Sequence, residues 1–226
     1  MIKYILIILY YLKILNAVVI YNEHDLVNIL SNNNDVVSID IETEITVNIN
    51  FTIASSLNSL SITGNPLSPA KLEFKYPIYF GENIHDLNIK DITLVGNLFF
   101  NNNERITMKS VTLNGSIDSK FNNQTNEYIK ISQMIYKPSE TNTYNCINLS
   151  GNVFIDNSIF NGNSKCNNRI LHYIGLKKYN LFLTNNSFDG GYTCPCLSIE
   201  ETPLANISNS TFKNAISSEK IAGGYI

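Results

Sequence analysis

The chain contains no tryptophan, only three histidines, and few charged side chains, 15 % of the total. Each shortage narrows the field. Without Trp the chain lacks the ring most expected in a sugar-binding platform. His24, His85 and His172 are scattered with no ligand spacing, so they read as surface residues, and neither a metal nor a cofactor is expected. A net charge of −3 points away from nucleic acid and from an anionic membrane surface. Gly190–Gly191 and Gly223–Gly224 are isolated pairs, which excludes a glycine-rich phosphate loop.

Asparagine, serine and threonine fill the place that charge usually takes, beside abundant isoleucine. β-Branched and aromatic residues recur in periodic runs, which argues against disorder. The 226 residues suffice for one domain with a sizeable core. The opening "MIKYILIILYYLKILNA" has a basic start at Lys3, a short apolar stretch and a small-residue exit at Asn16–Ala17. It is read as a secretory signal peptide over 1–17. A membrane anchor is the rival, but the stretch falls short of the ~20 apolar residues of a span, and Lys13 interrupts it. No span is expected once the leader is cleaved. Asn-x-Ser/Thr sequons at Asn50, Asn114, Asn123, Asn148, Asn185, Asn206 and Asn209 fit secretion.

One sentence is written several times along the chain. "NVFIDNSIFNG" starts at Asn152, "NLFLTNNSFDG" at Asn180 and "ANISNSTFKN" at Ala205. The apolar pairs Val37/Ile39, Leu60/Ile62, Leu87/Ile89, Ile106/Met108, Ile129/Ile131, Val153/Ile155, Leu181/Leu183 and Ala205/Ile207 recur with the loose period of a solenoid. Seven residues after each first member from Leu60 onward comes Leu67, Leu94, Leu113, Tyr136, Phe160, Phe188 or Phe212. A further pair follows at Ile78/Phe80, Ile147/Leu149, Leu171/Tyr173 and Leu197/Ile199. Short period-two strands separated by Asn and Gly corners predict an all-β, single-domain, right-handed parallel β-helix of about eight coils. Coils ~4.8 Å apart would stack Phe160, Phe188 and Phe212 inward, and Asn157, Asn185 and Asn209 at a corner.

Residues 18–34 read as an N-terminal cap. Asn22 can cap a short helix from about Glu23 to Ser31 whose Leu26, Ile29 and Leu30 share a face. Residues 35–226 form the β-helix, with 114–128 expected to bulge out as a loop. "IAGGYI" falls where another strand should run, so the expectation is a β-helix incomplete at its C-terminus, the rival being a top coil that pairs with another chain.

Cys166 and Cys194 would occupy the same turn of adjacent coils, so the expected disulfide is Cys166–Cys194 or Cys166–Cys196. A four-cysteine zinc site is disfavoured, because "CPC" is not a CxxC pair. Outward positions between the paired apolar residues hold Phe154 and Phe182 in neighbouring coils. These are the expected ligand-binding residues, as a platform for a sugar ring or a partner, unless a loop such as 114–128 folds over them. Asp40 and Glu42, two apart and ~7 Å distant in a strand, are the best carboxylate pair for chemistry; a solvated strand face is the plainer reading.

The cap helix, the irregular coils, and "NSIFNG", "NNSFDG", "NSTFKN" followed by "GGYI" resemble secreted right-handed β-helix proteins of the pectin-lyase-like superfamily, above all the Asn/Ile-rich type of anaerobic gut fungi. The likeness covers roughly residues 18–226. "GGYI" and "FNGN" are also similar to short signatures of bacterial polymorphic outer-membrane passengers. The resemblance implies fold more than function, since lyases, hydrolases, adhesins and stalks share it. The polygalacturonase-type GHG and RIK motifs and an adjacent Asp pair are all absent from the sequence. The reading is therefore a secreted, non-catalytic module at the cell surface or outside the cell, with polysaccharide or a cell-surface protein as partner. The alternative is a polysaccharide lyase or glycoside hydrolase on the same fold.

Overall fold

The computed structural model describes residues 17–68, 70–121, 127–139, 146–166 and 168–216. The leader before Ala17, the sequon at Asn123 and the terminal "IAGGYI" lie outside the described residues.

Among the described residues the chain forms one helix and nineteen strands. β1 (Val18–Ile20) leads into α1 (Glu23–Ser31), then β2 (Val36–Ile41), β3 (Glu44–Val47), β4 (Ser59–Gly64), β5 (Lys71–Phe74) and β6 (Ile78–Phe80). Two long strands follow, β7 (Asp86–Asn101) and β8 (Arg105–Lys120). The upper coils hold β9 (Tyr128–Ser132), β10 (Ile135–Lys137), β11 (Ile147–Ser150), β12 (Asn152–Asp156), β13 (Ile159–Asn161) and β14 (Leu171–Ile174). The last strands are β15 (Asn180–Thr184), β16 (Ser187–Asp189), β17 (Leu197–Glu200), β18 (Leu204–Ser208) and β19 (Thr211–Lys213).

Every pairing is parallel, and the strands sort into three faces of a right-handed β-helix of about eight turns. The first face stacks the apolar pairs read from the sequence in register, from Val37–Leu60–Leu87 through Ile106–Ile129–Val153 to Leu181–Ala205. The second face carries the column Ile45–Leu72–Leu94–Leu113–Tyr136–Phe160–Phe188–Phe212. The third stacks Ile78–Leu98–Ile117–Ile147–Leu171–Leu197. These columns are the core, and their repetition is why the chain repeats its sentence. The ring pairs Phe160/Phe188 and Phe188/Phe212 stack at 4.6 and 5.0 Å.

β7 and β8 turn all three faces without a break and pair along nearly their whole length. Gly96 and Gly115 make that possible. They stack at one corner, Gly96 has φ +136, and a Cβ on Gly115 would lie 1.8 Å from the Gly96 carbonyl oxygen.

Two sequence readings are corrected here. Residues 114–120 belong to β8 instead of leaving as a loop. Their alternation was hidden because the inward Ser119 is polar; its hydroxyl accepts from Ser150 N at 2.8 Å, so it is satisfied inside. Leu67 is 96 % exposed, and Leu72 takes its column position, because more residues separate β4 from β5 than separate the equivalent strands of the later coils.

The lower end is closed as expected. Asn22 is extended, its side chain accepts from Asp25 N at 2.9 Å, and Glu23 and Asp25 suit the positive end of the helix dipole. Leu26 and Leu30 are buried against the core. Glu23 also accepts from Asn48 N and Ile49 N, which fastens α1 to the chain after β3. No helix of the described residues is long and apolar enough to cross a membrane.

Candidate functional site

Phe154 in β12 and Phe182 in β15 are register partners on the outer side of the first face. Their rings lie 5.0 Å apart and only 2° from parallel. That separation is close to the ~4.8 Å rung spacing, so the rings stack face to face along the solenoid axis. This departs from a flat platform. The accessible surfaces are the outer ring edges and the two end faces of the stack. The lower end faces Lys130, which stands one rung below Phe154; the upper faces Asn206, one rung above Phe182. Phe154 is 40 % exposed, and residues 114–120 do not cover it.

A cleft of about 460 Å³ opens beside the stack, lined by Tyr128, Lys130, Phe154, Asp156, Phe182 and Thr184. Strand alternation puts these residues there: Tyr128 and Lys130 project from β9, Phe154 and Asp156 from β12, Phe182 and Thr184 from β15. Asp156 is held in place by Ser132 Oγ and Asn157 Nδ2, each donating to Oδ1 at 2.7 Å. The cleft thus offers an aromatic wall, an exposed ammonium and an anchored carboxylate. That combination suits a ring with one apolar face and a hydroxylated rim.

Asp40 and Glu42 make no comparable site. Asp40 projects from β2, but Glu42 lies beyond the strand's end and is exposed. A second groove, of about 440 Å³, lies on the third face and includes Asp118, Asn148, His172, Leu149, Phe121 and Leu176. Asp118, Asn148 and His172 come from successive rungs of β8, β11 and β14. His172 Nε2 lies 3.0 Å from Glu200 Oε1, and Arg169 Nη1 lies 3.5 Å from the same oxygen. Sequence reasoning saw His172 only as a surface residue. Its groove partners are far apart in the chain, and the irregular coil lengths between them conceal the register.

The cysteines pair differently from the expectation. Cys146 bridges Cys166, with Cα atoms 6.0 Å apart, while Cys194 and Cys196 are free and buried. Cys166 and Cys194 do hold equivalent turn positions, each donating its backbone N–H to a glycine carbonyl four residues earlier, Gly162 or Gly190. The turn reaches toward the coil below, however, not to its own equivalent above. Cys146 immediately precedes β11 beneath Cys166; the matching position beneath Cys194 is Ile170. Burial pushes the Cys194 thiol up to about 11. Among the described residues no group of three or more His, Cys, Asp or Glu could hold a metal ion. No protein-family model, curated protein or solved structure matches this chain.

Proposed function

We propose that the protein is a secreted, non-catalytic β-helix module of the pectin-lyase-like type that binds polysaccharide outside the cell or at its surface. One observation carries the reading: the parallel Phe154/Phe182 stack forms the aromatic wall of a cleft furnished with Lys130 and Asp156. A pyranose ring can continue the stack, laying its C–H face on Phe154 while its hydroxyls meet the ammonium and carboxylate. The basic–apolar leader and the Cys146–Cys166 bridge support an oxidising, extracellular setting.

The test is a pull-down of the secreted chain with plant and fungal wall polysaccharides, recording both retention and release of soluble sugar. Retention without release is expected, weakened at least ~10-fold in Phe154→Ala, a loss in the range of a desolvated aromatic contact. Retention unchanged in Phe154→Ala and in Lys130→Ala would remove the cleft from consideration.

A second reading rests on the third-face groove. There a polysaccharide lyase or hydrolase would use Asp118 and His172, because these titratable groups share a groove and Asp40 and Glu42 do not. Sugar release abolished by His172→Ala or Asp118→Asn, with Phe154→Ala still active, selects it.

A further inference from the structure

The upper end of the aromatic stack raises a separate question. Asn206 stands in register directly above Phe182. It belongs to the sequon Asn206-Ile207-Ser208, is exposed, and its side-chain amide has no hydrogen-bond partner among the described residues. The other sequons differ. Asn185 Nδ2 donates to Asn157 Oδ1 at 3.3 Å within the corner ladder. Asn148 is half-buried in the third-face groove. Asn50 is exposed but lies outside any strand, and Asn209 sits at a corner with φ 48. Asn114 has Val95 and Lys137 as its strand neighbours and Asn148 has Asp118 and His172, so among the described sequons Asn206 is the one that stands beside an outward phenylalanine.

We infer that Asn206 carries an N-linked glycan whose first sugar packs on the free upper face of Phe182. The Asn206 amide nitrogen attacks the anomeric carbon of a lipid-diphosphate-linked sugar: the C–N bond forms as the C–O bond breaks, the lipid diphosphate leaves with that oxygen, and the amide gives up one proton. The attached ring starts one rung from Phe182, where its apolar face can complete the stack Phe154–Phe182–sugar. The glycan would shield an apolar surface that is otherwise wet. It leaves the lower face of Phe154 and the Lys130 cleft free. The inference rests on the secretion part of the proposed function, not on its polysaccharide ligand.

The experiment expresses the full chain through a eukaryotic secretory pathway and maps glycan occupancy by peptide mass spectrometry. Melting temperatures are compared for the parent, Asn206→Gln, Phe182→Ala and the double variant. Occupancy at Asn206 is expected. Asn206→Gln should lower Tm by about 2–4 °C in the parent and leave it unchanged in the Phe182→Ala background. A glycan at Asn50 with Asn206 bare overturns the inference and leaves secretion standing. Occupancy at Asn206 with the same Tm shift in both backgrounds overturns the packing on Phe182. A chain retained in the cell with no sequon modified overturns secretion, and this inference with it.

Discussion

Tyr179 donates its phenolic hydrogen to Oε2 of Glu127, 52 residues earlier in the chain. Both side chains are inside the solenoid; Glu127 is 0 % exposed and its other oxygen, Oε1, has no hydrogen-bond partner among the described residues. The contact spans two coils past Gly151, where a Cβ would already touch the Phe121 ring at 3.1 Å. Tyr179 is thus a hydrogen-bond partner of a buried carboxylate. Tyr179→Phe should cost about 2–3 kcal/mol, the scale of a hydrogen bond to a charged group. Adding Glu127→Leu removes the stranded acceptor, so the double variant should recover much of that loss. Urea midpoints measure both, and a double variant no better than Tyr179→Phe would refute the pairing as the cause.

Burial also raises the pKa of Tyr136, Tyr173 and Tyr179 above the ordinary tyrosine value, with the Glu127 hydrogen bond adding to the effect at Tyr179. At neutral pH all three are protonated whether folded or unfolded, so they contribute no pH dependence there. Above about pH 10 the unfolded chain sheds these protons while the folded one keeps them, and stability falls as pH rises. The slope should approach ~1.4 kcal/mol per pH unit for each such tyrosine. Tyr136→Phe should flatten the curve of unfolding free energy between pH 10 and 11.5. An unchanged slope would mean that Tyr136 ionises freely in the folded state.

The inward columns were legible because each strand alternates and each coil repeats the alternation. Val37 through Ala205 could be aligned from the sequence alone, and they stack in that register. Leu67 was assigned to the column wrongly, since the extra residues of its corner shift the position to Leu72. The Phe154/Phe182 pair was visible for the same reason as the core: an outward position between two inward ones repeats as faithfully as they do. What the sequence concealed lies across irregular coils. Asp118, Asn148 and His172 meet only because strands of unequal spacing come into register. The cysteines failed for a different reason. Equivalence between coils identified the turn correctly but said nothing about whether the side chain reaches up or down.

The Cys146–Cys166 bridge makes a sharp chemical prediction. Peptide mapping without reduction should find these two linked and the Cys194 and Cys196 thiols free. Buried, and with pKa values raised by that burial, both free thiols should resist iodoacetamide at pH 8 until the protein is unfolded. Replacing Cys146 and Cys166 by alanine should cost about 3 kcal/mol, as expected for a loop with a separation of 20 residues. Rapid labelling of Cys194 in the native protein would overturn the assignment.

Adjacent asparagines at the corner after β15 should respond in opposite ways to substitution. Asn185 has φ +57 and faces solvent, its Nδ2 donating one hydrogen bond to Asn157 Oδ1. Glycine accepts that backbone readily, so Asn185→Gly should change stability by less than ~0.5 kcal/mol. Asn186 is buried at 2 % exposure and holds three coils together. Its Oδ1 accepts from Ser158 N at 3.0 Å, its Nδ2 donates to the Ile155 carbonyl at 2.9 Å, and its own N–H donates to Ser210 Oγ at 3.2 Å. Asn186→Ala strands the Ser158 N–H and the Ile155 carbonyl away from water, and a loss of about 2–4 kcal/mol is expected. The repeated Asn first suggested a ladder at Asn157, Asn185 and Asn209, whereas the bonds that bind coil to coil are denser one residue later. Thermal unfolding of the two single variants decides between them: equal losses would mean that the exposed ladder contributes as much as the buried one.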